Sequence, residues 1–166
     1  MSKAIPTTYN GVQYRSILEA RWAAFFQLSH INAEYEPEAF AGYIPDFMIR
    51  TESQALGALV VEIKGSLENF DLLKIRRSGW TGDVWCCTGE GPSSVLPFDR
   101  RHQDVPRPLW TPGCLVMRTS LNSDTAWLFR WSFDGDEQRV RDWFNDRWKE
   151  AGNLVQWRSP RRGRAA

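Results

Sequence analysis

The sequence has no surplus of either charge, few cysteines and no long apolar run, and each shortage excludes something. Lys and Arg number 21 against 20 Asp and Glu, which leaves a formal net charge of +1. There is therefore no global basic field to hold nucleic acid, and any such contact has to come from local patches. No apolar run approaches the roughly 20 residues of a membrane helix. Residues 1–10 lack the charged-then-apolar order of a signal peptide. Cys86, Cys87 and Cys114 are odd in number, two are adjacent, and none stands in a CxxC spacing. This argues against a disulfide framework or a zinc site and for free thiols in a reducing cytoplasm. Internal repeats and low-complexity tracts are missing too.

What is present suits an ordinary globular chain. Its 166 residues are 42% hydrophobic and 25% charged, and nine tryptophans supply core or contact area. The organisation expected is one domain over residues 1–157. Its core spans about 9–90, with C-terminal additions over about 91–157. The tail, 158–166, holds Arg158, Arg161, Arg162 and Arg164 and no acid, and is expected to be disordered.

Periodicity and breakers give the element order. Residues 1–14 read as an irregular lead-in. Ser16 with Glu19 three residues on matches a capping box, and Leu18, Trp22, Phe25 and Phe26 recur at helical spacing, so a helix is expected over about 17–29. Residues 32–40 suit a short edge strand because Pro37 excludes a central one. Strands follow over 43–50 and 58–65, the latter apolar on both faces at its start and so central. A polar turn, 51–57, joins them. A helix over 67–77 turns Leu72, Leu73 and Ile75 inward, and a strand over 83–88 ends at Gly89-Glu90-Gly91-Pro92. Residues 93–112 read mainly as loop. A hairpin from 114–118 and 126–133 and an amphipathic helix over 136–150, with Val140, Trp143, Phe144 and Trp148 on one face, complete the chain. The order predicts an α/β fold with a central mixed sheet flanked by helices, plus a C-terminal hairpin and helix.

Chemistry concentrates in two short segments, Pro45-Asp46 and Glu62-Ile63-Lys64. Strand alternation puts Glu62 and Lys64 on one face and Val61 and Ile63 on the other. If the two strands pair as a hairpin, Asp46 approaches Glu62 on the same side. Two carboxylates with an open coordination sphere suit a hard cation, Mg²⁺ first and Mn²⁺ as substitute. Such an ion activates a bound water and neutralises a scissile phosphate, and a neighbouring lysine positions or deprotonates the attacking water. The absence of His and Cys from the set argues against zinc.

Glu19, Pro45-Asp46 and Glu62-x-Lys64 together resemble the signature of the PD-(D/E)XK nuclease superfamily, which includes type II restriction enzymes, Holliday-junction resolvases, transposase endonuclease subunits and small phage nucleases. The stretch Tyr14-Arg15-Ser16-Ile17-Leu18-Glu19-Ala20-Arg21-Trp22-Ala23, followed by Tyr35-Glu36-Pro37-Glu38, is similar to the start of the small phage and mobile-element members. The resemblance covers roughly residues 9–89. It implies a restriction-endonuclease-like core. Asp46, Glu62 and the Ile63 backbone carbonyl would be metal ligands, Lys64 the catalytic lysine, and Glu19 a further ligand, direct or through water. The implied activity is a metal-dependent DNA endonuclease leaving 5′-phosphate and 3′-hydroxyl ends. Its setting would be cytoplasmic, a bacterial host's cytoplasm if phage-encoded.

Plainer readings stand beside these. Glu19 is also the expected partner of Ser16 in the capping box, and Arg15, four residues earlier, is placed to pair with it. Asp46 after proline suits a turn, and Glu62 with Lys64 suits a salt bridge at a strand end. Lys74, Arg76, Arg77, Arg100 and Arg101 are candidate DNA contacts or simply solvated charges. The tail arginines offer sequence-independent phosphate affinity or nothing. Trp80 and Trp110 are candidates for base stacking, and His30 suits the end of a helix dipole. The expected partner is DNA, with a homodimer open through the 136–150 helix or the late hairpin, and with no membrane and no small-molecule cofactor. Rival functions are a catalytically inactive binding or assembly module on the same fold, and a ribonuclease or branched-DNA resolvase with the same site.

Overall fold

A computed structural model describes residues 4–50, 58–92, 95–98 and 137–156. The expected 51–57 turn, the 114–118/126–133 hairpin, Trp110, Arg100, Arg101 and the basic tail lie outside them.

The chain opens with a hairpin rather than a lead-in. Strands β1 (Thr7–Tyr9) and β2 (Val12–Tyr14) pair antiparallel around Asn10 and Gly11. Both turn residues adopt left-handed φ, 48° and 79°. Asn-Gly is the pair that tolerates this, and the resulting twist matches that of the strands.

Helix α1 (Ile17–Leu28) forms as the sequence requires, with Ser16 as N-cap accepting from the Glu19 N–H. It ends in a Schellman motif: the His30 N–H donates to the Gln27 carbonyl and the Ile31 N–H to that of Phe26. His30 takes the left-handed position at φ 56°.

Among the described residues five strands form one mixed sheet in the order β3-β4-β5-β6-β7. They are β3 (Ala33–Tyr35), β4 (Phe47–Arg50), β5 (Ala58–Ile63), β6 (Val84–Cys87) and β7 (Leu96–Phe98). All neighbours are antiparallel except β5 and β6. This is the α/β arrangement with a central mixed sheet that the element order predicts, and β3 is indeed an edge strand.

Three details differ. Strand β4 starts at Phe47, not at Tyr43, because Phe40 and Tyr43 exchange backbone hydrogen bonds across a tight Ala41-Gly42 turn and Pro45 has no N–H to give. The expected 67–77 helix is two pieces, a 3₁₀ turn (Leu67–Asn69) and α2 (Leu72–Arg77). Asp71 restarts it by accepting from the Lys74 N–H. With α2 this short, Ile75 is buried and Leu72 packs at its side, while Leu73 is 63% exposed rather than inward. Finally, β7 lies where loop was expected. It carries Pro97 on the outermost strand among the described residues, where a missing donor costs least.

The two faces of the sheet are packed unequally. One carries Phe47, Ile49, Leu59, Val61, Ile63, Trp85 and Cys87 against Trp22, Phe25 and Phe26 of α1. Helix α3 (Glu137–Leu154) adds Phe144, Trp148 and Ala151 to this core. Arg21 stacks its guanidinium 3.8 Å from the Trp148 ring centroid and donates to the Trp148 carbonyl. Gly91 sits so close under the Trp148 indole that a Cβ would come within 2.6 Å of Nε1. Part of the apolar face of α3 is thus used within the chain. The other sheet face is covered by Tyr43, Ile75 of α2 and their neighbours around Met48, Val60, Val84 and Cys86. Among the described residues no helix is long and apolar enough to cross a membrane.

Candidate active site

Antiparallel pairing of β4 with β5 sets Phe47 opposite Val61 and Met48 opposite Val60. One residue further along the same register, Asp46 faces Glu62. Both are almost fully buried, at 5% and 6% exposure. Isolated carboxylates do not survive such burial, so each must be paired and hydrogen-bonded.

The pairing is complete. The Lys64 ammonium donates to Glu62 Oε2 and, at 3.3 Å, to Asp46 Oδ2. Oδ2 also accepts from the Ile63 N–H at 2.7 Å. The Arg15 guanidinium donates to Asp46 Oδ1, and the buried Tyr43 hydroxyl donates to Glu62 Oε1. Every oxygen of the two carboxylates therefore has a donor from the protein itself.

The three residues of the Pro-Asp and Glu-x-Lys segments are thus brought together at one end of the sheet. Ile63 meets Asp46 through its N–H. Glu19 stands one step away. Its Oε2 accepts from the Tyr35 hydroxyl at 2.7 Å and the Arg15 N–H at 3.1 Å, and its Oε1 from the Ser16 hydroxyl at 3.0 Å. The glutamate reaches the residue before the N-cap, so the capping box is displaced by one position. Glu19 joins Asp46 through Arg15, whose Nε lies 3.7 Å from Glu19 Oε2 and 3.0 Å from Glu36 Oε1.

Charge distribution follows from these contacts. Burial lowers the Lys64 pKa, but Asp46 and Glu62 outweigh it and the net shift is upward. Lys64 is therefore an ammonium in this arrangement. Burial and the hydrogen bond to Glu62 push the Tyr43 phenol far above its ordinary value, so it is a neutral donor. Burial and the bond to Glu19 raise Tyr35 to about 12. Cys86 stands opposite Glu62 in the parallel register, and burial pushes its thiol up to about 12, which makes it an inert neighbour.

The outer basic residues separate. Lys74 and Arg77 are exposed. Lys74 lies near the cluster, its Nζ 5.9 Å from the Tyr43 ring centroid. Arg76, read from the sequence as either a DNA contact or a solvated charge, instead donates to the backbone carbonyls of Trp80 and Gly82 at 3.1 and 2.7 Å. It holds the turn between α2 and β6, because a guanidinium so close to the helix end reaches those carbonyls first. Trp80 stacks on Phe40 and donates to the Asp83 carbonyl, so it belongs to the second core.

Sequence reasoning missed two contacts. Tyr43 was legible only as the first residue of an expected strand. Arg15 was legible as a partner for Glu19, whereas its closest acid is Asp46, 31 residues away.

The donor set is all oxygen, which fits a hard divalent cation that keeps waters. Among the described residues no group of three or more His, Cys, Asp or Glu side chains is gathered as a cage. Two carboxylates completed by water are the remaining way for the site to hold such an ion. Compared with protein-family models, curated proteins and solved structures, the chain finds no match.

Proposed function

We propose that the chain is a metal-dependent DNA endonuclease of the PD-(D/E)XK type, built on a restriction-endonuclease-like core. One observation carries this reading: Asp46 and Glu62 lie buried and face to face, with one lysine ammonium bonded to both. Buried sites seldom hold such a cluster for stability, since well-packed apolar residues do as well or better there.

Asp46 and Glu62 would hold Mg²⁺ or Mn²⁺, with the Ile63 carbonyl alongside. Once bound, such an ion lowers the pKa of a water ligand and screens the phosphate. Lys64 keeps its proton while both carboxylates face it, so it positions the attacking water and holds a phosphate oxygen. Tyr43 fixes the Glu62 carboxylate through its hydroxyl. In-line attack forms a bond from water oxygen to phosphorus and breaks the bond to the 3′ oxygen, which takes up a proton. The products are a 5′-phosphate and a 3′-hydroxyl. Lys74 is exposed near the site and suits a phosphate contact, and Arg77, exposed on the same short helix, is a further candidate.

With Mg²⁺ or Mn²⁺ the purified protein is expected to cut or nick DNA, and EDTA to stop it. Lys64→Ala and Asp46→Ala should each lower the rate by roughly 10²–10⁴-fold. Wild-type rates in both variants would sink the assignment. A panel of linear, supercoiled, single-stranded, flapped and four-way DNA plus RNA separates a DNA endonuclease from a ribonuclease or resolvase.

A second reading has its own observation. The carboxylates are already satisfied by Arg15, Lys64, Tyr43 and the Ile63 N–H. A cluster that neutralises itself also suits an inactive binding module, and calorimetric titration showing no Mg²⁺ or Mn²⁺ binding would favour it.

A further inference from the structure

Arg15 meets three carboxylates at once: Asp46 Oδ1, Glu36 Oε1 and Glu19 Oε2. Its side chain is nevertheless 56% exposed, against 24% for Lys64. The cluster holds four carboxylates, Glu19, Glu36, Asp46 and Glu62, and two cations, Arg15 and Lys64. Asp46 and Glu62 are balanced by Arg15 and Lys64, and the two remaining carboxylates, Glu19 and Glu36, stand beside Arg15.

The two oxygens of Asp46 are held differently. Oδ2 is bound by the Ile63 N–H, a backbone group fixed in the sheet, and by Lys64. Oδ1 is bound by Arg15 alone among the contacts described. An incoming cation meets least resistance at Oδ1, because a guanidinium already half in water can be displaced into water without a new buried charge. It also keeps Glu36 and Glu19 as nearby acceptors. The arginine and a divalent ion compete for one oxygen, since two cations on it repel.

We propose that Arg15 is the stand-in counter-ion of the metal site, bound to Asp46 when the metal is absent and displaced from it when the metal binds. The proposal rests on the nuclease reading above. It adds that metal affinity is set partly by an internal competitor, and that the segment leading into α1 changes contacts on metal binding. Anything that draws Arg15 off Asp46, such as a phosphate group of the substrate, then strengthens metal binding, and the metal strengthens phosphate binding by the same factor.

Calorimetric titration of the full chain with Mn²⁺ tests this. Arg15→Gln should bind Mn²⁺ at least about tenfold more tightly than wild type, as removal of one like charge next to a divalent ion implies. Equal or weaker binding by a folded Arg15→Gln chain would overturn the exchange. A measurement on the wild-type chain guards against a variant that fails to fold. The Arg15 Nε–H resonance, assigned by its absence in Arg15→Lys, should shift as Mg²⁺ is added to saturation. A resonance that stays in place at saturation also overturns the exchange. If neither wild type nor Arg15→Gln binds Mn²⁺, the metal site falls and the exchange with it. If wild type binds Mn²⁺ and cuts DNA but Arg15→Gln binds no more tightly, only the exchange falls.

Discussion

The two faces of the central sheet do different work. On the α1 face Trp22, Phe25, Phe26, Phe47, Phe144 and Trp148 form a continuous aromatic core with ring centroids 4.8–6.0 Å apart in most neighbouring pairs. On the α2 face the buried set is smaller, and Ile75 is the fully buried contribution of a six-residue helix. Each large side chain buried on the first face contributes about 1.5–3 kcal/mol of transfer free energy. Surplus stability on one face allows the other to end in three charged groups, Asp46, Glu62 and Lys64, which by themselves stabilise little or nothing. Asp46 sits where the two meet, held from the α1 side by Arg15 and from β5 by Lys64 and Ile63.

That division can be broken deliberately. The largest effect is expected on the α1 face. Trp22→Ala removes an indole with no exposed surface, together with its hydrogen bond to the Thr88 carbonyl, and should cost about 3–5 kcal/mol. Urea unfolding would show it. A loss under about 1 kcal/mol would mean that this face does not carry the fold.

A smaller effect belongs to the site face and depends on pH. Tyr43 and Lys64 both have raised pKa values in the folded chain, from 10.0 and 10.5. The folded state then holds more protons than the unfolded state at alkaline pH. Their contribution is therefore full below about pH 10 and is lost as pH rises further. Tyr43→Phe leaves Glu62 short of a donor and should cost about 1–3 kcal/mol near neutral pH. It should also lose less stability than wild type on going from about pH 9 to about pH 11. Parallel curves for the two proteins would contradict the placement of Tyr43. The wild-type-minus-variant difference is the quantity to read, because burial raises Tyr35 and Cys86 as well.

The smallest effect is at the junction. Ser16→Ala removes the cap of α1 and one donor to Glu19, and should cost about 1 kcal/mol. An unchanged thermal midpoint would show that Glu19 is held by Tyr35 and the Arg15 backbone without it.

Much of this arrangement was legible. The Ser16–Glu19 cap, the apolar spacing of α1 and the central β5 follow from local patterns, and the opposition of Asp46 to Glu62 follows once the two strands pair as a hairpin. The Asn10-Gly11 signal was also there and marks the first hairpin. Leu73 was misread because helical periodicity assumes a longer helix than Asp71 permits. Arg76 was misread because a basic residue on a short helix looks solvated until the turn it clamps is seen.

By itself the sequence determined which residues are acids, which strand is central and which side chains share a face, because backbone geometry repeats every 2 or 3.6 residues. Only the tertiary structure decided which cation meets which acid. Arg15 to Asp46 spans 31 residues and Tyr43 to Glu62 spans 19, and no local periodicity reaches that far. Burial settled those partners: once Asp46 and Glu62 are enclosed at the end of the sheet, each oxygen must take whichever donor the fold brings to it.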